Sequence, residues 1–310
     1  MQVSRGVPAL AEHPAVLTIG NFDGLHLGHQ RLLALLREKA RALGLPATVM
    51  TFEPHPREFF APANAPARLA SLREKLIGLA EGGIDHAVVV RFDARIAALS
   101  AGEFIERVLV RGLATRHLYI GDDFRFGAGR RGDFAMLCEA GDQHRFRVEA
   151  MPTVAVDGER VSSSAVRHAL ADGDMAHAAR LLGRPYSIAG RVVGGDRIGR
   201  TLGFPTANVQ LRHRRVPLTG IFTVSVEGLG GGALPGVASI GQRPTVTDAG
   251  RTTLEVHLLD YDADCYGAHL RVNFLDKQRD EEKYPDLDLL KAQIARDAER
   301  ARVWFARHPQ

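Results

Sequence analysis

Cysteine is scarce in this 310-residue chain: there are two, Cys138 and Cys265. Two such distant residues suggest neither a disulfide scaffold nor a cysteine zinc site, and they fit a reducing cytoplasm. No run of about 18 apolar residues occurs, so no membrane helix is expected. The N-terminal stretch lacks an apolar core followed by a small-residue cleavage site, so it does not read as a signal peptide. Lysine is rare, with five residues; the basic complement is mostly arginine, a compositional habit that carries no function. The net charge of +4 is small and spread over both halves. That is a poor nucleic-acid footprint, despite an isoelectric point of 9.3. Internal repeats, low-complexity tracts, HExxH and CxxC are all absent. What remains is an ordinary globular composition, 45% hydrophobic and 25% charged, which excludes disorder as the main state. The length predicts two domains.

The first half alternates between short apolar strands and helices. Strands are expected at Val16–Ile19, Ala47–Phe52, Ala87–Val90, Leu118–Ile120 and Val148–Met151. Helices are expected at Gly28–Leu43, Leu72–Glu81, Gly102–Arg111 and Asp133–Ala140, with Gly44 ending the first. This pattern predicts a Rossmann-like parallel α/β sheet covered on both faces, with ligands outside the carboxyl ends of its strands. Two short helices follow, Ser164–Ala171 and Met175–Leu182. After Gly183 the pattern changes to strands, at Ser187–Val193, Ile221–Val226, Val237–Ile240, Thr253–Leu259 and Leu270–Phe274, separated by Gly, Pro and Asp. That predicts a small antiparallel β-barrel or sandwich, with a helix over Leu287–Phe305 packed on its side. The domains are therefore expected at 1–183 and 184–310.

One stretch concentrates chemistry in the first half: Gly20-Asn-Phe-Asp-Gly-Leu-His-Leu-Gly-His29. It follows a strand and opens a helix, where free amides and positive potential suit a phosphate. Gly20, Gly24 and Gly28 permit close backbone approach. His26 and His29, three apart, are expected to share one helical face and to stabilise charge on a triphosphate. The bare spacing also fits ordinary helix-start residues, or a metal pair without a third ligand. Ser162–Ser164 precede a helix and can cap it while leaving amides for phosphate; Arg167 lies one turn further in. Phe52 and Phe126 can stack on a flat ring or fill the core.

The second dense region runs from Gly190 to Asn208. Gly194 to Thr201 nearly spells a P-loop, but Arg200 replaces the lysine and no helix follows, so that reading fails. Its glycines can still cradle phosphates. Thr206 and Asn208 lie two apart on an extended segment and offer neutral oxygens to Mg²⁺. Glu255 sits in an apolar strand on the face it shares with His257. It fits a general base for a hydroxyl, or one residue of a solvated polar face.

GNFDGLHLGH resembles the HxGH signature of the nucleotidyltransferase superfamily. In its GNFDG form it resembles the adenylyltransferase half of bacterial bifunctional riboflavin kinase/FAD synthetases. Thr51-Phe-Glu-Pro-His-Pro56 resembles that family's flavin-side loop. Gly121-Asp-Asp-Phe-Arg-Phe-Gly127 resembles its glycine- and arginine-bearing segment, and Val161-Ser-Ser-Ser-Ala-Val-Arg167 its second nucleotide motif. GRTLGFPTAN, GVASIGQRPT, EVHLLDYDADCYG and RDEEKY resemble riboflavin kinase, with Phe222 where Tyr is frequent and Ser239 where Asn is frequent. Together these segments span nearly the whole chain in family order.

The resemblance implies a bifunctional enzyme. Riboflavin would be phosphorylated to FMN with MgATP, and FMN adenylylated by ATP to FAD with release of pyrophosphate. It implies that Gly20, Phe22, Asp23, Gly24, His26, Gly28, His29, Ser162, Ser164 and Arg167 contact ATP in the first domain. Phe52, Pro54, His55, Asp123 and Phe126 would contact the flavin. In the second domain Gly194, Gly199, Arg200, Gly203, Thr206 and Asn208 would hold ATP, the last two with Mg²⁺, and Glu255 would be the base. A cytoplasmic monomer or weak homo-oligomer is expected, with no nucleic-acid or membrane partner. The alternatives are a kinase fused to a nucleotidyltransferase for another acceptor, and a flavin- or RNA-binding regulator with degenerate sites.

Overall fold

The computed structural model describes residues 1–194, 203–212, 215–243 and 251–309. Two compact units divide the chain: Met1–Pro66 with Leu72–Val161, and Ala67–Ser71 with Ser162–Gln310.

The first unit is built on a six-stranded parallel sheet. Its strands are β1 (Gln2–Arg5), β2 (Ala15–Ile19), β3 (Ala47–Glu53), β4 (His86–Arg91), β5 (Thr115–Ile120) and β6 (Arg147–Ala150), in the order β1-β4-β3-β2-β5-β6. The inner strands are shut from solvent, as a sheet covered on both faces requires. Leu32, Leu33 and Leu36 of α1 (Leu27–Leu43) pack with Val16 and Val49 on one side. Leu109, Leu118 and Leu137 pack with Leu17 and Met50 on the other. α1 ends at Gly44, whose φ of 63° is left-handed, as the sequence predicts. A short α2 (Pro56–Phe60) and then α3 (Leu72–Glu81) follow β3.

Strand order reverses at β2. The chain moves from β2 to β3 and β4 on one side, then crosses back to place β5 and β6 on the other. The loops after β2 and β5 therefore flank a topological switch point, where open α/β sheets bind ligands.

Three features differ from the sequence reading. β1 was not expected, because an edge strand of polar residues has no apolar signal. The helix expected over Gly102–Arg111 is unbroken but changes type along its length. α4 (Ala94–Ala98) precedes α5 (Ala101–Phe104), which continues as a wider π turn over Ile105–Gly112. There the Thr115 hydroxyl donates to the Leu109 carbonyl at 2.8 Å, serving a carbonyl that the widened ladder leaves. Beyond α6 (Phe134–His144), a two-stranded hairpin pairs β7 (Ala155–Val156) with β8 (Glu159–Arg160).

In the second unit, α7 (Ser163–Asp172) and α8 (Met175–Leu182) lead into a closed antiparallel barrel. Its strands are β9 (Tyr186–Val193), β10 (Ala207–Val209), β11 (Gly220–Glu227), β12 (Leu234–Arg243), β13 (Arg251–Leu258) and β14 (His269–Arg279). They run in the order β10-β13-β12-β11-β14-β9, and β9 pairs β10 to close the ring. Ile188, Phe222, Val224, Ile240, Val256, Val272 and Phe274 fill the interior. Phe222 meets Phe274 edge-on at 5.3 Å between ring centroids. β14 runs five residues past the expected Phe274, because bulges against β11 break the alternation that marks a strand.

The terminal helix α9 (Leu287–Arg307) is pinned to the barrel by charge. The Arg279 guanidinium donates Nε and Nη2 to the Asp297 carboxylate at 3.1 and 2.6 Å. Gln293 donates to the same carboxylate at 2.8 Å.

Candidate active sites

At the switch point of the first unit, β2 ends in the glycine–histidine loop. Gly24 is left-handed with φ 84°, and Phe22 (φ 49°) and Leu25 (φ 46°) are too. A non-glycine residue held there stores strain, which persists only where packing fixes it. Both are indeed buried, Phe22 at 1% exposure. A Cβ on Gly28 would stand 3.1 Å from the His26 ring, so the glycine allows that ring to lie close.

The histidine pair is organised differently from the sequence expectation. His26 is not inside the helix; its backbone is extended and it is the N-cap of α1. Its Nδ1 accepts from the His29 amide at 3.3 Å, which leaves the proton of a neutral ring on Nε2. The two rings nevertheless stack, with centroids 3.7 Å apart, and Phe22 abuts His29 at 5.0 Å. Burial, then His26 and Lys75, push the His29 imidazole well below its usual pKa, so it is neutral near pH 7. Its Nδ1 and the Asn21 side-chain oxygen are buried with no hydrogen-bond partner among the described residues. Buried polar atoms of this kind call for a ligand or water.

Sequence reasoning passed over Lys75 on α3. It is 3% exposed and donates to the Thr51 hydroxyl at 3.3 Å; that hydroxyl donates to the Asn21 carbonyl at 3.3 Å. The available signal was its spacing: Lys75 lies four residues before buried Leu79, on the apolar face.

The expected flavin-side residues have varied surroundings. His55 caps α2: its Nδ1 accepts from the Arg57 amide at 3.1 Å, while Glu58 accepts from the His55 amide at 3.2 Å. Pro54 directly precedes it. Phe52 is half-buried and meets Phe92 edge-on. Asp123 is exposed and pairs with Arg160 at 3.3 Å. Phe126 lies in the core, the alternative the sequence left open for it. It is 6% exposed, packs on Phe104, and leaves Gly132 no room for a Cβ. In the second unit, Ser162 caps α7 by accepting from the Ala165 amide at 3.1 Å, and Ser164 lies in that first turn. Arg167 donates to the Ala67 carbonyl at 2.6 Å.

On the barrel, strand register builds a row of side chains. Asn208 stands opposite Glu255, Glu255 opposite Ser239, Ser239 opposite Ile221, and Ile221 opposite Arg279. Directly paired residues share a face, so the row crosses five strands on the side away from the filled interior. Glu255, Ser239 and Arg279 line a cavity of about 500 Å³, together with Phe204, Thr206 and Tyr284. His257 Nδ1 donates to the Pro205 carbonyl at 2.9 Å and its ring meets Phe204, fixing the segment that carries Thr206. The Ser239 hydroxyl donates to Glu281 at 2.9 Å. Gly194 and Gly203 flank the glycine-rich loop; Gly199 and Arg200 lie outside the described residues, as does the end of GVASIGQRPT. Arg279 opens the RDEEKY segment, but strand alternation fails before it, so its place on this row had no signal in the sequence.

Two constellations suited to phosphate, in separate units, are what a nucleotide-dependent transferase with two activities needs. A family model described as FAD synthetase matches residues 9–165, and one described as Riboflavin kinase matches residues 182–305. Relatives named bifunctional riboflavin kinase/FMN adenylyltransferase, from Escherichia coli (strain K12) and Pseudomonas fluorescens, are each 53% identical over 308 residues. The alignments cover 98% and 99% of this chain and 98% of each relative. A crystal structure described as a macrolide-efflux protein from Streptococcus pneumoniae matches with a TM-score of 0.82 at 29% identity, over 97% of this chain and 99% of that one. Among the described residues no helix is long and apolar enough to cross a membrane. The chain belongs to the family of bifunctional riboflavin kinase/FMN adenylyltransferases. It is an enzyme of flavin biosynthesis, with kinase and nucleotidyltransferase activities that take ATP as substrate.

Proposed function

We propose that the two activities are housed apart, FMN adenylylation in residues 1–183 and riboflavin phosphorylation in residues 184–310. The observation that carries this reading is that the stacked histidine pair belongs to one compact unit and the Asn208–Glu255–Ser239 row to the other.

In the barrel, Glu255 takes the proton from the terminal ribityl hydroxyl of riboflavin. That oxygen bonds to the γ-phosphorus of ATP, and ADP leaves with the bridging oxygen. Thr206 and Asn208 would hold Mg²⁺; their hydroxyl and amide oxygens suit a hard cation, and the Glu255 carboxylate opposite Asn208 adds negative potential. When bound, Mg²⁺ neutralises triphosphate charge. The glycines from Gly194 to Gly203, with Arg200, complete the ATP site.

In the first unit, an FMN phosphate oxygen attacks the α-phosphorus of a second ATP and pyrophosphate leaves. The FMN phosphate is already ionised, so positioning and charge stabilisation matter more than a base. His26, His29 and the amides of the Gly20–Gly28 loop receive the triphosphate, helped by Phe22 and Asp23. Ser162, Ser164 and Arg167, at the start of α7, are read as ATP-binding residues of the adenylylation step. Phe52, Pro54, His55 and Asp123 belong to the flavin side, while the buried Phe126 ring packs beneath it. The setting is the cytoplasm and the protein is a monomer or weak homo-oligomer.

Supplying riboflavin or FMN separately with MgATP, then resolving FMN and FAD, isolates each step. A folded single-site variant should fail with one supply only; loss of both would overturn the division. Calorimetry tests the metal ligands: Mg²⁺ should bind the barrel strongly only with ADP present. Micromolar Mg²⁺ affinity in the nucleotide-free barrel would point to a carboxylate ligand instead.

A further inference from the structure

A cavity of about 610 Å³ lies at the other end of the parallel sheet from the His26–His29 loop. Two of its arginines mark the place: Arg116 is the second residue of β5 and Arg147 the first of β6, so it opens at the amino ends of these strands. α1 joins the two ends of the sheet. His26 caps its start, and Leu43, its last residue, borders the cavity about 25 Å away at 1.5 Å per residue. Open α/β sheets bind their ligands at the carboxyl ends of the strands, so the fold alone gives no reason for a basic cavity here.

Strand register assembles the lining. Across the parallel pair of β5 and β6, His117 stands opposite Arg147 and Tyr119 opposite Glu149. Glu149 is the one carboxylate at the cavity among the described residues, and it is already matched. Its Oε1 lies 3.6 Å from the Lys39 ammonium of α1 and 3.2 Å from His117 Nε2. Arg116 and Arg147 are exposed and make no ion pair or hydrogen bond among the described residues. His117 is 3% exposed, and its Nε2, though near Glu149, is not aligned for a hydrogen bond and is buried without one. A buried polar atom in that position calls for a ligand or water.

Three cations against one carboxylate leave two positive charges. The last turn of α1 does not compete for them, because the Gly44 and Leu45 amides already bond its carbonyls. Two guanidinium forks suit a dianionic phosphate, which they bind bidentately. The rest of the lining is apolar, Leu43, Leu45 and Val148, and Leu43 is half exposed. Apolar walls with a few charged groups are what an organic ligand requires.

We propose that this cavity is a second ligand site, for a phosphate monoester with an apolar body. Arg116 and Arg147 take the phosphate, and Leu43, Leu45 and Val148 take the body.

His117 reports occupancy. Burial holds its pKa down, Lys39 and Arg147 act in the same direction, and Glu149 opposes them. Tyr119, pushed up to about 12 by burial and then by Glu149, keeps its proton throughout. A bound dianion favours the imidazolium and should raise the His117 titration point.

The test follows the His117 imidazole of the full-length protein by NMR, near pH 7.5, where a monoester carries close to two charges. Phenyl phosphate, inorganic phosphate and phenol are the probes. Phenyl phosphate should shift the resonance saturably and at lower concentration than phosphate, and phenol should not shift it. Arg116→Gln and Arg147→Gln should each weaken phenyl phosphate on the order of 10-fold, the factor for one charge-assisted hydrogen bond. Both arginines are exposed, so the variants should fold, with FMN and FAD formation at wild-type rates as the check. The proposal is overturned by any of three results: no saturable shift, equal affinity for phosphate and phenyl phosphate, or a shift that persists when both arginines are replaced.

Discussion

Asn208 and Glu255 face one another across β10 and β13, in direct register. A proposed metal ligand and a proposed base thus share one rung of the barrel. Backbone pairing fixes the rung, so substituting either residue should leave the register of the other intact.

Glu255→Gln tests the base. FMN formation from riboflavin should fall by roughly 100- to 10,000-fold, the range for losing general-base catalysis. Conversion of supplied FMN to FAD should continue. Chromatographic separation of the flavins reads both, and parallel loss in a folded variant would remove Glu255 from its role.

His29→Ala addresses the other unit. FAD formation should slow on the order of 100-fold or more, the scale for deleting one preorganised donor. Riboflavin phosphorylation should be near normal. Steady-state rates with FMN as the sole flavin substrate decide it; an undiminished rate would return His29 to an ordinary helix-start residue.

Acid should weaken the fold through the same residue. Unfolded histidine takes up a proton near pH 6.5, about its ordinary value. Folded His29 resists that proton because of burial first, then His26 and Lys75. Below the ordinary value and above the depressed one, the unfolded chain binds more protons, so stability rises with pH and is lost on acidification. His86, lowered by burial, acts in the same direction. The wild-type unfolding temperature should drop from about pH 7 to about pH 5, and His29→Gln should flatten that slope. Scanning calorimetry of the two proteins would show the opposite ordering if His29 were protonated in the fold.

Asp297→Ala should destabilise the barrel by about 3–5 kcal/mol, because it leaves the Arg279 charge unpaired beside α9. The exposed Arg302–Asp260 pair, also bidentate, is a useful contrast, and Asp260→Ala should change stability little. Urea denaturation distinguishes the two. Similar effects would mean that burial does not govern these pairs.

The two architectures were legible because each carries its own period. Apolar runs with intervening helices marked the parallel sheet, and short strands between Gly and Pro marked the barrel. Motif spacing also located the phosphate loops. Illegible parts had physical reasons. β1 and β14 lack clean alternation, one as an edge, the other through bulges. His26 was read as a helix residue because its capping role depends on ψ, which spacing cannot express. Spacing puts Lys75 on the apolar face of its helix, but only tertiary packing buries it. Arg279 needed the register of β11 against β14 before it joined the Glu255 row. The compact units divide between Val161 and Ser162, whereas the change from helices to strands comes at Gly183, so composition and packing mark different points.

Because β9 closes the ring against both β10 and β14, the barrel has an order imposed by synthesis. Tyr186–Val193 leaves the ribosome early, yet one of its partners, His269–Arg279, comes last. Until then β9 keeps an open edge, and pairing across so long a separation is slow. The parallel sheet of the first unit is finished well before, at Ala150. A nascent chain stalled short of Arg279 would therefore hold the adenylylating sheet beside an unclosed curl of strands. On the proposed division, such a chain would extend FMN supplied by other molecules but make none itself, so translation would stagger the arrival of the two steps, the later one first.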